Sequence, residues 1–94
     1  MSHREKAIAA IRAGYDLHHS PSDDPDLALL EGDRLYAQGL AELAAAADLE
    51  AVRQMAEVIA LSAAAHGAGD AAAAEAVWAA RVSTVTQRMP QDDR

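Results

Sequence analysis

Apolar residues return along the chain at three- and four-residue intervals, the spacing of one helix face. Nowhere do they settle into the two-residue alternation of a strand. Ile8, Ile11, Tyr15 and His18 form the first such row, and Leu29, Asp33, Tyr36, Leu40 and Leu43 the second. Val52, Met55, Ala56, Ile59, Ala63 and His66 form the third, and Ala74, Val77, Trp78, Arg81, Val82 and Val85 the fourth. The punctuation between rows agrees with this division. Ser2 and Glu5 have the spacing of a capping box. Ser20-Pro21-Ser22-Asp23-Asp24-Pro25 ends the first helix, because each proline pushes its predecessor out of helical geometry. Asp24 then predicts an N-cap, with Pro25 at the first helical position and Asp26 favoured by the helix dipole. The second helix is expected from Pro25 to about Ala46, and the third from its Asp48 cap to about Ala65. After a break at His66-Gly67-Ala68-Gly69, the fourth is expected from Ala71, recapped by Asp70, to about Arg88. These elements predict an all-α fold: a small antiparallel helical bundle of three to four helices, one domain over residues 1–89 with a disordered tail at 90–94.

One position breaks the pattern. Asp33 falls on the row read as core-facing, where a bare carboxylate costs several kcal/mol, roughly, to bury. Such a group must be paired, hydrogen-bonded, metal-bound or protonated. Arg81, on the apolar row of the fourth helix, and Arg12 are the expected partners. His18 and His66 close their own rows, so a buried polar set or ligand pocket of His18, Asp33 and His66 is a further expectation.

Composition changes the picture more than the 51% hydrophobic content implies, because 25 residues are alanine and only 23 are larger apolar residues. Alanine favours helix but contributes little buried area. A small helical chain so built is expected to complete its burial against a neighbour, as a homo-oligomer or in a protein complex. Tyr36, Leu40, Trp78 and Val82 are the expected interface anchors. Gly32 and Gly39 predict close packing against a neighbouring helix. The net charge of −7 and pI near 4.8 argue against nucleic acid and anionic membrane surfaces. With no cysteine, disulfides and thiolate metal sites are excluded, and a cytoplasmic location is expected. No apolar run is long enough to insert in a membrane, and the first residues lack a signal peptide's hydrophobic stretch.

Catalytic signatures are sparse. The serines and threonines stand in no elbow or triad context, no glycine-rich loop follows a strand, and no E-x-x-H pair marks a di-iron bundle. Asp23, Asp24 and Asp26 could offer carboxylate oxygens to magnesium, although capping accounts for Asp24 and Asp26 without a metal.

The order of features nevertheless resembles part of the isoprenoid (polyprenyl) diphosphate synthases. It runs from Tyr15-Asp16-Leu17-His18-His19 through Asp23-Asp24-Pro25-Asp26 to Leu30-Glu31-Gly32-Asp33-Arg34-Leu35-Tyr36-Ala37, then Asp48 opening another helix. The resemblance covers roughly residues 7–66 and implies an all-helical fold. It further implies that Asp23, Asp24 and Asp26 stand for the magnesium-binding aspartate motif and Gly32-Asp33 for the family's Gly-Asp pair. The second aspartate motif, the arginine pair and the basic diphosphate ligands have no counterpart here. The expected function is therefore a non-catalytic helical interaction module without a cofactor, self-associating or accessory to a larger complex. The alternative is a magnesium-dependent, prenyl-diphosphate-binding enzyme or half-enzyme.

Overall fold

In the computed structural model, which describes residues 2–87, four helices follow one another: α1 His3–His19, α2 Pro25–Ala45, α3 Leu49–Gly67 and α4 Ala71–Gln87. The described residues contain no strand, so the all-α expectation holds. The tail expected at 90–94 lies outside the described residues, as does the predicted end of α4 at Arg88.

Local chemistry sets the boundaries. Ser2 and Glu5 make the full reciprocal capping box at the start of α1. Asp24 accepts from the Leu27 amide with Pro25 at N1, and Asp48 accepts from the Ala51 amide. Asp70 does the same for the Ala73 amide, 2.9 Å away.

The two interhelical corners after α2 and α3 are the same device. Asp48 N–H returns to the Leu43 carbonyl and Asp70 N–H to the Ala65 carbonyl. In each, the residue before the aspartate is left-handed: Gly69 at φ 78° and Ala47 at φ 56°. Glycine adopts that conformation freely, whereas alanine crowds its Cβ against the carbonyl. Ala47→Gly is therefore expected to raise stability by about 0.5–1 kcal/mol, read as a higher urea midpoint, although the same exchange inside a helix destabilises.

The chain forms two hairpins, α1 with α2 and α3 with α4, that share a core of Ala7, Ile11, Tyr15, Leu43, Met55, Val58, Ala74, Trp78 and Val85. Side-chain links fix the directions. His3 and Arg4 meet Asp48 while His19 meets His66, so α1 and α3 run parallel. Arg4 reaches Val85 and Arg12 reaches Glu75, so α4 runs against α1.

The α1–α2 seam is made by small residues. A Cβ on Gly14 would stand 2.7 Å from the Gly32 carbonyl oxygen, and one on Gly39 would stand 2.8 Å from the Ala7 carbonyl oxygen. The backbones thus touch where the glycines lie, as the spacing of Gly32 and Gly39 predicted. This seam corrects the reading of α2. The inner face of α2 is Ala28, Gly32, Gly39 and Leu43; of the expected row, Leu43 is buried and Tyr36 and Leu40 pack against the core, whereas Leu29 and Asp33 do not. A shift of one residue is a rotation of about 100°, which carries Leu29 to the surface and leaves Asp33 68% exposed at its side chain. The rows of α3 shift likewise: Ala51, Met55, Val58 and Ser62 are buried, and the Ser62 hydroxyl donates to the Val58 carbonyl.

Candidate interaction surface

The buried charge in this bundle lies at positions 4 and 48. Arg4, 2% exposed, donates from Nε to Asp48 Oδ2 at 2.6 Å and from Nη2 to Oδ1 at 2.8 Å. Its Nη1 donates to the Val85 carbonyl at 2.8 Å. One guanidinium therefore joins the start of α1, the α2–α3 corner and the end of α4, using the planar fork that lysine lacks. The Arg4 hydrogen bonds, helped by His3 and the Ala51 amide, hold the Asp48 carboxyl well below the usual carboxylate range.

At the opposite end the His19 and His66 rings stack at 3.8 Å with 4° between planes. Tyr15 packs against both rings and against Trp78. Its hydroxyl lies 2.7 Å from His66 Nε2 and donates to that nitrogen when it is unprotonated. Although His19 keeps an exposed edge, its covered face lowers its pKa below 6.5, first by desolvation and then through the neighbouring His66 and His18. The sign follows from linkage. The unfolded chain binds the His19 proton more readily, so stability falls as pH drops below about 6.5 and levels off beneath the folded value. Asp48 acts through the opposite charge: its contribution is present above 3.8 and is lost as pH falls towards its depressed folded value. Thermal melts from about pH 8 down to about pH 2, where the Asp48 loss is under way, should show two separate losses, the upper one absent in His19→Asn.

The expected polar set is thus divided. His18 Nε2 lies 2.9 Å from Asp33 Oδ1 but off the direction of a hydrogen bond, and Tyr36 packs beside the His18 ring. His66 belongs to the Tyr15–His19 group. Arg81 pairs with Glu57 and Arg12 with Glu75 and Asp16, so neither arginine meets Asp33. Asp23, Asp24 and Asp26 are exposed at the α2 start, with Asp24 engaged as its cap. Among the described residues no group of three or more histidine or carboxylate side chains could hold a metal ion.

The expected interface anchors lie inward. Trp78 is 4% exposed and its indole N–H is buried without a partner, while Tyr36, Leu40 and Val82 pack half-buried against the core. Burial pushes the Tyr36 hydroxyl up to about 12. An open groove of about 600 Å³ runs between α1 and α4 past Ile8, Trp78 and Val82. Its charged groups answer each other, since the Arg12 guanidinium donates to both Glu75 oxygens and lies over the Trp78 ring.

Of the six large apolar side chains that reach solvent among the described residues, Leu49 and Leu61 stand singly on α3 and the other four gather where the α1–α2 hairpin turns. Leu27 is 53% and Leu30 66% exposed, with Leu17 and Leu29 also open. Leu17 and Leu27 line one shallow groove of about 230 Å³ with Ala28, Asp24 and Glu31. Leu17 and Leu29 line another of about 370 Å³ with Pro21 and Pro25. Leu27 and Leu30, three apart, are neighbours on α2. Reading the start of α2 in the wrong phase hid this surface, although the Leu27-Ala28-Leu29-Leu30 run marks it: three leucines in four positions spread too far round a helix for one face to bury.

Architecture and surface together define a small four-helix up-and-down bundle with one apolar hairpin end. Comparison with protein-family models, curated proteins and solved structures returned no match to this chain. No helix among the described residues is long and apolar enough to cross a membrane.

Proposed function

We propose that this protein is a non-catalytic helical interaction module, an accessory chain that docks on another protein through the leucine surface at the α1–α2 hairpin. The observation that carries this reading is the exposure of Leu17, Leu27, Leu29 and Leu30 at one end of the hairpin, where Leu17, Leu27 and Leu29 line two grooves and Leu30 stands one turn from Leu27. Scattered exposed leucines need no explanation, but a contiguous apolar surface beside shallow clefts is what a partner covers. The magnesium alternative needs Asp23, Asp24 and Asp26 to converge on one ion. Asp24 is engaged with the Leu27 amide instead, so the interaction reading is the one carried forward.

The test is a titration of the intact chain with a labelled, uncharged amphipathic helix of leucine and glutamine. Binding is expected, and the double variant Leu27→Ser/Leu30→Ser should abolish it while shifting the urea midpoint by no more than about 0.5 kcal/mol per site. A loss of several kcal/mol in that variant would assign the leucines to the fold and remove the proposed role.

A further inference from the structure

The leucine surface has a charge signature of its own. From Asp16 to Glu31 the chain carries five carboxylates, at 16, 23, 24, 26 and 31, and no lysine or arginine. Asp24 and Glu31 line the groove that holds Leu17 and Leu27, while Asp23 and Asp26 are exposed beside it. The one cation on α2, Arg34, is already 3.0 Å from Glu31. Asp16 is likewise paired with Arg12, so the apolar patch is edged chiefly by Asp23, Asp24 and Asp26, which pair with no lysine or arginine among the described residues.

We infer that the partner segment docking here is a basic amphipathic helix, apolar on the face that enters the grooves and carrying lysine or arginine along its borders. This rests on the interaction reading and specifies its partner. Helix-in-groove recognition uses apolar anchors at three- and four-residue spacing, and shallow grooves on both sides of Leu17 suit two successive anchors. Charge complementarity then chooses among helices: rim charges of opposite sign raise the association rate and reject like-charged competitors. A second copy of this chain is the poorer occupant. A two-fold contact sets the same patch against itself, so the acidic edge of one copy would meet the acidic edge of the other in a chain already at −7. Anionic lipid and nucleic acid are repelled by the same edge.

The experiment uses the intact chain and three labelled helices of one pattern: leucine with lysine, leucine with glutamine, and leucine with glutamate. The lysine helix should bind at least ~10-fold more tightly than the glutamine helix, about 1.4 kcal/mol, and the glutamate helix should bind weakest. The preference should shrink towards unity in Asp23→Asn/Asp26→Asn/Glu31→Gln, which leaves the Asp24 cap intact, and as salt is raised. Equal, leucine-dependent binding of the lysine and glutamine helices would overturn the basic partner while leaving the interaction reading standing. Undiminished binding of the lysine helix to Leu27→Ser/Leu30→Ser would reduce the effect to general attraction between opposite charges and overturn the inference. No binding of any helix would overturn both readings, and self-association in its place would name a second copy as the occupant.

Discussion

Asp48→Ala is expected to destabilise the bundle by about 3–5 kcal/mol, the largest single effect in the molecule. The substitution leaves the Arg4 guanidinium buried without its carboxylate and removes the cap on the Ala51 amide. For a small domain of marginal stability, a loss of that size approaches complete unfolding. Asp48→Asn can keep the oxygen that caps Ala51 while it removes the charge and one of the two acceptors of Arg4, so it separates the cap from the ion pair and stays measurable by urea titration. Arg4→Met should also be costly. The double variant Arg4→Met/Asp48→Asn should recover part of the loss, because neither partner is then an uncompensated buried charge. Strictly additive losses would show that the pair has no special coupling.

Gly39→Ala is the second large effect, and its sign is the informative part. In an exposed helix this exchange stabilises by about 1 kcal/mol. Here the new Cβ would stand 2.5 Å from Ile11 Cγ1 and 2.8 Å from the Ala7 carbonyl oxygen. A side chain can turn away, but the backbone of α1 cannot move without opening the seam. Overpacking of this kind costs about 1–3 kcal/mol, so the net change should be destabilising in chemical denaturation. A gain in stability would mean that α1 and α2 do not approach as closely as described.

Caps and breaks were legible in the sequence because their chemistry is local. Ser2 with Glu5, Asp24 with Pro25, Asp48 and Asp70 each act within three or four residues, and the helices start where those residues dictate. The facing of the first half of α2 was not legible from large side chains, since its inner face there is built from Ala28 and Gly32, and small residues leave no mark on a hydrophobic row; Tyr36, Leu40 and Leu43 further along do reach the core as expected. The same rotation explains why Asp33 reads as buried yet stands in solvent, and why the exposed leucines went unseen. Arg4 was missed because it precedes the first apolar residue. Its signal was nevertheless present: stepping back from Ile11 by four and seven residues gives Ala7 and Arg4, all three buried on one face. That Arg4 would meet Asp48 is a long-range fact, set by how two hairpins dock. The left-handed Ala47 was equally hidden, because nothing in an alanine run marks the residue that must turn.

The proposed role requires a bundle that is stable as a single chain, with the hairpin leucines left for another protein to cover. The most direct measurement is the urea unfolding midpoint of the isolated chain, taken at two protein concentrations about 100-fold apart, a range over which linked association must register. The midpoint should be the same at both. A midpoint that rises with concentration would contradict the account, because Leu17, Leu27, Leu29 and Leu30 would then be finding their cover in a second copy of this chain.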